Sequence, residues 1–239
     1  MPVEHTVKAY DEELRRLEQE IATMGGFAEG QLQNAIQALV RRSAELAHEV
    51  IQEDGRVDAL EQQASALVVR LLALRQPMAG DLREIVAALK ISSDLERIGD
   101  YAANIGKRVA ALSQTPPFKL PGALPRMGWL AQQIIRDVLN AYVQHDAERA
   151  RKAWHDDEEL DETYSSLFRE LLTHMMEDPR NITSCTHLLF IAKNIERAGD
   201  HCTNIAEVVY HMVRAGHLAN TRPKADTTSE TTVPYETHA

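Results

Sequence analysis

Two segments of this 239-residue chain are nearly the same, 100 residues apart. Ile91-Ser-Ser-Asp-Leu-Glu96-Arg97-Ile-Gly99-Asp100 is followed by Tyr-Ala-Ala-Asn104-Ile105. Ile191-Ala-Lys-Asn-Ile-Glu196-Arg197-Ala-Gly199-Asp200 is followed by His-Cys-Thr-Asn204-Ile205. The shared core, Glu-Arg-x-Gly-Asp, sets two carboxylates at i and i+4, one above the other on a helix face. A second stretch aligns without gaps at an offset of 103 and matches at ten of 38 positions between residues 24 and 61. The matches include Met24-Gly25 with Met127-Gly128, Ala44-Glu45-x-Ala47 with Ala147-Glu148-x-Ala150, and Asp54 and Asp58 with Asp157 and Asp161. The offset falls to 102 at Pro77 and Pro179, and to 100 at the motif. The chain is therefore a tandem duplication with small deletions between its helices. Two copies of this length predict two similar bundles rather than a solenoid array.

Each copy reads as three long helices. Val7, Tyr10, Leu14, Leu17, Ile21 and Met24 are spaced alternately three and four apart, a bundle-type stripe. The third helices carry Ile91, Leu95, Ile98, Ala102, Ile105 and Val109, and again Ile191, Ile195, Ala198, Cys202, Ile205, Val209 and Met212. Ser43 and Asp146 stand at matching positions just before Ala-Glu and read as N-caps of the second helices. Pro77 and Pro179 suit the first turn of the third helices, with Asp178 as a cap before the latter. No strand pattern competes. The expected fold is all-α: a three-helix repeat over 5–112, a proline-bearing linker over 113–122 and a second three-helix repeat over 123–216. From 217 to 239 the chain is polar, rich in Thr and Pro and without periodicity, which predicts a disordered tail.

A formal charge of −10 argues against a nucleic-acid binder, which needs a basic footprint. The low aromatic share, 5%, and the abundance of Ala, Leu, Glu and Arg favour helix. No apolar run reaches the roughly 18 residues of a membrane span. Met1-Pro2-Val3-Glu4-His5 has neither a basic nor an apolar leader segment. The two cysteines, Cys185 and Cys202, form no C-x-x-C pair and read as small core residues of a cytoplasmic chain.

On a helical wheel of about 100° per residue, Glu96 and Asp100 fall roughly opposite Ile98, and so off the bundle's main seam. The same holds for Glu196 and Asp200. A lone pair of this kind is a solvated face. Here the pair recurs, and each second helix carries another, Asp54/Asp58 and Asp157/Asp161. Gly99 and Gly199 sit inside helices, where glycine costs about 1 kcal/mol relative to Ala, and predict close approach of a neighbouring backbone. If the helices lie antiparallel with the pairs facing, four carboxylates converge in each copy, and like charges that close raise one another's pKa unless a cation neutralises them. Oxygen-only ligands suit hard cations such as Mg²⁺, Ca²⁺, Mn²⁺ or iron. Zn²⁺ stays a candidate on carboxylates, although no Cys/His structural zinc site is visible. His201 follows Asp200 and is a candidate peripheral ligand. Glu45-x-x-His48 resembles half of a di-iron signature whose second half, Glu148-x-x-Arg151, is missing. Arg97 and Arg197 read as balancing the acids.

These residues resemble the PhoU family of bacterial phosphate-transport accessory and regulatory proteins. The resemblance covers roughly residues 5 to 216. It rests on the duplication, on Ala88-Leu-Lys-Ile-Ser-Ser-Asp-Leu-Glu-Arg-Ile-Gly-Asp, on Met175-Met-Glu-Asp-Pro-Arg-Asn-Ile-Thr and on Leu188-Leu-Phe-Ile-Ala-Lys-Asn-Ile-Glu-Arg-Ala-Gly-Asp-His. It implies two three-helix bundles, commonly in a homodimer. It further implies metal clusters, iron among them, on Asp54/Asp58 with Glu96/Asp100 and on Asp157/Asp161 with Glu196/Asp200. All eight positions keep a carboxylate. The implied role is a cytoplasmic bridge between the ATPase subunit of the Pst phosphate transporter and a PhoR-type sensor histidine kinase. Such a bridge restrains uptake and keeps the phosphate regulon off when phosphate is plentiful, reaching the membrane only through its partners. Two other readings compete. One is an enzyme whose carboxylate-bridged metal drives phosphoryl hydrolysis or redox chemistry. The other is a structural bundle with solvated acids. No nucleophile–base motif, P-loop or Gly-rich phosphate cradle is visible, so the expectation is a regulator without catalysis.

Overall fold

The protein is described by a computed structural model over residues 3–75, 77–218 and 224–231; side chains are described from Tyr10 onward, those of Arg75 and Glu230 excepted. Among the described residues six α-helices follow one another: α1 (Val3–Arg41), α2 (Ala44–Arg75), α3 (Ala79–Ser113), α4 (Ala123–Gln144), α5 (Ala147–Glu177) and α6 (Ile182–Arg214). There is no strand among the described residues.

The duplication is legible in the turns. Arg42 and His145 both take left-handed backbone, with φ of 51°. At each, two backbone bonds close the helix end. Ser43 N donates to Ala38 O (2.9 Å) and Arg42 N to Leu39 O (3.1 Å); Asp146 N donates to Ala141 O (2.9 Å) and His145 N to Tyr142 O (3.2 Å). This pairing satisfies carbonyls that the helix end would otherwise leave open. The next helix starts at once on the expected caps. Leu46 N donates to Ser43 Oγ at 3.2 Å, and Glu148 N and Arg149 N both donate to Asp146 Oδ1 at 3.0 Å.

The third helices start later than the prolines imply. Pro77 precedes α3, whose N-cap is Met78. Pro179 opens a single 3₁₀ turn over Pro179–Asn181, and Asp178 caps that turn rather than α6, accepting from Arg180 N at 3.0 Å. A residue before proline is pushed to extended backbone, as Asp178 is, so the α-helix cannot run through it.

Helix α2 packs on α1 and α3, and α5 packs on α4 and α6. The remaining helices touch in a closed ring, α1 to α3 to α6 to α4 and back to α1. The two three-helix bundles thus share a wall, and their buried side chains form one continuous cluster from Leu17 to Met212. Cys185 and Cys202 belong to it as free, buried thiols.

Two reciprocal contacts join the bundles about an approximate two-fold axis. Where α1 meets α4, a side chain at Gly25 would collide with Leu139 and one at Gly128 with Ile36, at 2.7 Å from its Cγ1. Ile36 and Leu139 are themselves a repeat-related pair, as are the two glycines. An Arg136–Glu29 ion pair crosses the same contact. Where α3 meets α6, Tyr101 and His201 face each other across the axis with ring centroids 5.5 Å apart.

Candidate functional site

The carboxylates lie where each flanking helix meets the shared wall: α2 against α3, and α5 against α6. Both pairs of helices run antiparallel. Gly99 of α3 faces Val57 of α2, and Gly199 of α6 faces Asp157 and Leu160 of α5. This register sets Asp54 toward Asp100 and Asp58 toward Glu96 in the first repeat, and Asp157 toward Asp200 and Asp161 toward Glu196 in the second.

The charges respond to one another across the helices. Burial, then the charges of Asp100 and Asp58, push the Asp54 carboxyl above its ordinary range. Burial, then Asp100 and, across the groove, Asp58, do the same to Glu96 against the pull of Arg97. In the second repeat burial dominates. Asp161 is raised to about 6, with Asp200 adding to the effect and the Ala225 amide opposing it. Glu196 is raised to about 7, with Asp200 and Asp161 adding and Lys193 opposing. Desolvation of a carboxylate and the nearness of a like charge act in the same direction here.

The two clusters differ in depth. Asp58 is exposed, and Asp54, Glu96 and Asp100 are half-buried. Asp157 and Asp161 are each 1% exposed and Glu196 3%, while Asp200 is half-buried. The wheel placed Glu96, Asp100, Glu196 and Asp200 off the main seam. Glu196 departs from that: half-buried Lys193 pairs with it at 2.8 Å, where Glu96 has the exposed Arg97. Chain that the sequence assigned to a disordered tail also lies over the second cluster. Ala225 N donates to Asp161 Oδ2 (3.2 Å), Lys224 Nζ stands 3.6 Å from Asp200, and Asp226 stands 3.1 Å from Lys193 Nζ. Ser165 Oγ donates to Ala225 O and accepts from Thr227 N. Residues 219–223 and 232–239 of the expected tail lie outside the described residues.

Protein cations accompany the acids. Arg97 lies 2.8 Å from Asp100 Oδ2 and 3.2 Å from Glu96 Oε2, the balancing role expected of it. Arg197 does not repeat it and makes no ion pair among the described residues. Lys193 instead reaches Glu196 Oε2 at 2.8 Å, and Lys224 approaches Asp200. Lys193 was detectable in principle, since it stands three residues before Glu196. His201, a candidate peripheral ligand by sequence, is turned away from the acids of its own cluster. Its Nδ1 lies 2.8 Å from Asp94 Oδ1 and its Nε2 3.3 Å from Tyr101 Oη, so both ring nitrogens tie the two bundles together. His48 is exposed, and its Nδ1 donates to Ala44 O of its own helix at 2.6 Å.

The glycines admit side chains, not backbone. Gly99 makes room for Gln31 Oε1 (3.1 Å from an ideal Cβ) and Val57, and Gly199 for the Asp157 carboxylate and Leu160. The close backbone approach predicted for them occurs seven residues later in the first repeat, at Gly106, 3.0 Å from Ala47 O.

As the side chains stand, no three His, Cys, Asp or Glu among the described residues are arranged to hold a metal ion. The donor set nevertheless suits one in its chemistry. It is all oxygen, four carboxylates come from two facing helices in each repeat, and their mutual effect is the kind a hard cation relieves. Asp54 Oδ1 is buried and has no hydrogen-bond partner among the described residues, leaving a lone pair for a ligand.

The family model described as "PhoU domain" matches residues 21–109 and 124–209. The chain is 52% identical over 228 residues to a phosphate-specific transport system accessory protein PhoU homolog of Caulobacter vibrioides, covering 95% of this chain and 99% of that one. It is 48% identical over 226 residues to a protein of the same description from Rhizobium meliloti, covering 94% and 95%. The fold matches the crystal structure of PhoU from Pseudomonas aeruginosa with a TM-score of 0.84 at 35% identity, covering 87% of this chain and all of that one. It also matches the phosphate transport system regulatory protein PhoU from Streptococcus pneumoniae, with a TM-score of 0.82 at 30% identity, covering 88% and 99%. No helix among the described residues is long and apolar enough to cross a membrane.

Proposed function

Because the chain belongs to the PhoU family, we propose that it is a cytoplasmic negative regulator of phosphate uptake and of the phosphate regulon. In phosphate-rich cells it docks on the ATPase subunit of the Pst transporter and on a PhoR-type sensor histidine kinase, as a homodimer and without catalysis of its own. The observation that carries this reading is the near full-length similarity to proteins named as phosphate-specific transport accessory proteins. Exposed apolar side chains around the α2–α3 turn, among them Leu74, Met78 and Leu82, offer surface of the kind a partner covers.

The carboxylate clusters are the proposed metal centres. Asp54, Asp58, Glu96 and Asp100 would hold one set of ions and Asp157, Asp161, Glu196 and Asp200 the other. Iron, Mn²⁺, Mg²⁺ or Zn²⁺ would be accepted there. A bound ion would relieve the repulsion between facing carboxylates and brace α2 against α3 and α5 against α6. That bracing would fix the helical faces that partners read.

Deleting the encoding sequence from its host is the test. Alkaline phosphatase output in phosphate-rich medium is expected to become constitutive and phosphate uptake to rise. Output that stays repressed in the deletion would overturn the proposal.

A further inference from the structure

Helices α3 and α6 leave a groove on either side of their crossing, and the two grooves are related by the repeat. Their charge differs: the second mixes acids with its cations, Arg83 and Lys90, and the first does not. The first groove, with a volume of about 440 Å³, is lined by Lys107, Arg108, His187, Lys193 and Arg197, and no acidic side chain lines it. In the other, Glu207, Val208 and Ser93 stand where Lys107, Arg108 and Lys193 would be, and Asp94 is present. The basic groove is therefore a property of its side chains and not of the fold. It is also unexpected in a chain of formal charge −10.

Most of its positive charge is unspent. Lys193 is shared with Glu196 and Asp226. Lys107 donates to the Asn104 amide oxygen at 3.3 Å and acts on Asp54 only at a distance, without an ion pair, and Arg197 makes no ion pair among the described residues. Arg108 lies over the Phe190 ring, 4.2 Å from its centroid, which tethers the guanidinium at the groove wall. His187 Nδ1 is shut off from solvent and has no hydrogen-bond partner among the described residues. Burial, with Arg108 nearby, disfavours the protonated form of its ring. Two arginine forks and a lysine facing one space are the arrangement that reads phosphoryl oxygens. The volume falls in the range of small-molecule sites, roughly 300–1,000 Å³, and exceeds what a single tetrahedral anion needs.

We propose that the groove lined by Lys107, Arg108, Lys193 and Arg197 binds a small anion carrying two or more linked phosphoryl groups. The ligand is either an inorganic polyphosphate or the phosphate chain of a nucleotide. In the nucleotide case the exposed edge of Phe190 meets the base.

Isothermal titration of the full chain at low salt, with EDTA present so that no ion bridges ligand to carboxylates, tests this with tripolyphosphate, ATP, orthophosphate and sulfate. Saturable tripolyphosphate binding at one site per chain is expected. Lys107→Ala/Arg197→Ala removes two charge-assisted contacts and is expected to weaken it by about tenfold or more. Arg83→Ala/Lys90→Ala, in the opposite groove, is expected to leave it unchanged. Lys107 and Arg197 are exposed and make no ion pair, so the variant should keep the wild-type circular dichroism. Tighter binding of ATP, lost in Phe190→Ala, would identify the nucleotide; equal binding of tripolyphosphate and ATP would identify the inorganic chain. Absence of saturable binding, equal losses in the two double variants, or sulfate binding as tightly as tripolyphosphate would overturn the proposal.

Discussion

Gly199→Ala is expected to destabilise the protein, while Gly99→Ala at the repeat-related position is not. An ideal Cβ at Gly199 would fall onto Asp157 Oδ1 and within 2.5 Å of Leu160 Cδ2. Both neighbours are enclosed, Asp157 at 1% exposure and Leu160 at 0%, so neither can swing into solvent. Overpacking of this kind costs about 1–3 kcal/mol. Alanine returns about 1 kcal/mol of helix propensity. The net loss is then about 0–2 kcal/mol by these two contributions. At Gly99 the nearest atoms are Gln31 Oε1 at 3.1 Å and Val57 Cβ at 3.4 Å. A shift of a few tenths of an ångström at the end of the Gln31 amide suffices, so most of the propensity gain of about 1 kcal/mol survives. The two variants should therefore differ by about 1–3 kcal/mol, and both are read by urea denaturation of the metal-free full chain. If Gly199→Ala stabilises the fold as much as Gly99→Ala, the packing of Asp157 over Gly199 is wrong, and with it the register of α5 on α6.

Two further outcomes follow from the second cluster. In the fold Glu196 titrates at about 7 and Asp161 at about 6, against ordinary values of 4.5 and 3.8. The folded chain keeps protons that the unfolded chain has lost across that window. Stability of the metal-free protein from these groups is therefore full below pH about 4 and is lost as pH rises toward 7. The effect is on the order of 3 kcal/mol for Glu196. Glu196→Gln should flatten the dependence in urea melts at pH 5 and pH 8; an unchanged slope would refute the assignment. Truncation after Leu218 removes the bonds from Ala225 and Thr227 and the Lys193–Asp226 ion pair. At about 0.5–1.5 kcal/mol for each hydrogen bond, less the entropy of ordering the segment, a loss of about 1–3 kcal/mol is expected. Thermal unfolding checks it, and an unchanged midpoint would mean that the segment does not dock.

Much of the architecture was legible because duplication writes the same constraint twice. The offset of 103 led directly to Ser43 and Asp146 as paired caps. The i, i+4 acids on neighbouring helices led to facing rows, because side chains four apart share a helix face. What escaped was set by packing that a single helical wheel does not represent. The wheel assumed one seam per helix, but α6 has three neighbours and residues 225 and 226 lie over its acids, so Glu196 is enclosed where the wheel exposes it. His201 looked like a ligand because it adjoins Asp200, yet one position along a helix turns the side chain by about 100°, toward Asp94 and Tyr101. Docking of residues 224–231 was invisible to composition because backbone amides, which every sequence has, supply part of its contacts. The basic groove was hidden for another reason. Lys107 and Arg108 lie more than 75 residues from His187 and Arg197 in the chain, and only the crossing of α3 and α6 assembles them.

Metal content of the purified full-length protein, measured by elemental mass spectrometry after loading with iron, Mn²⁺, Mg²⁺ or Zn²⁺ in turn, most directly tests whether the facing carboxylates are ion sites. The expected result is ions retained by the wild-type chain, reduced in Asp54→Ala/Asp100→Ala and in Asp157→Ala/Asp200→Ala, and lost when all four substitutions are combined, with helicity intact. A wild-type chain that retains no ion, or a combined variant that holds as many as the wild type, would contradict it.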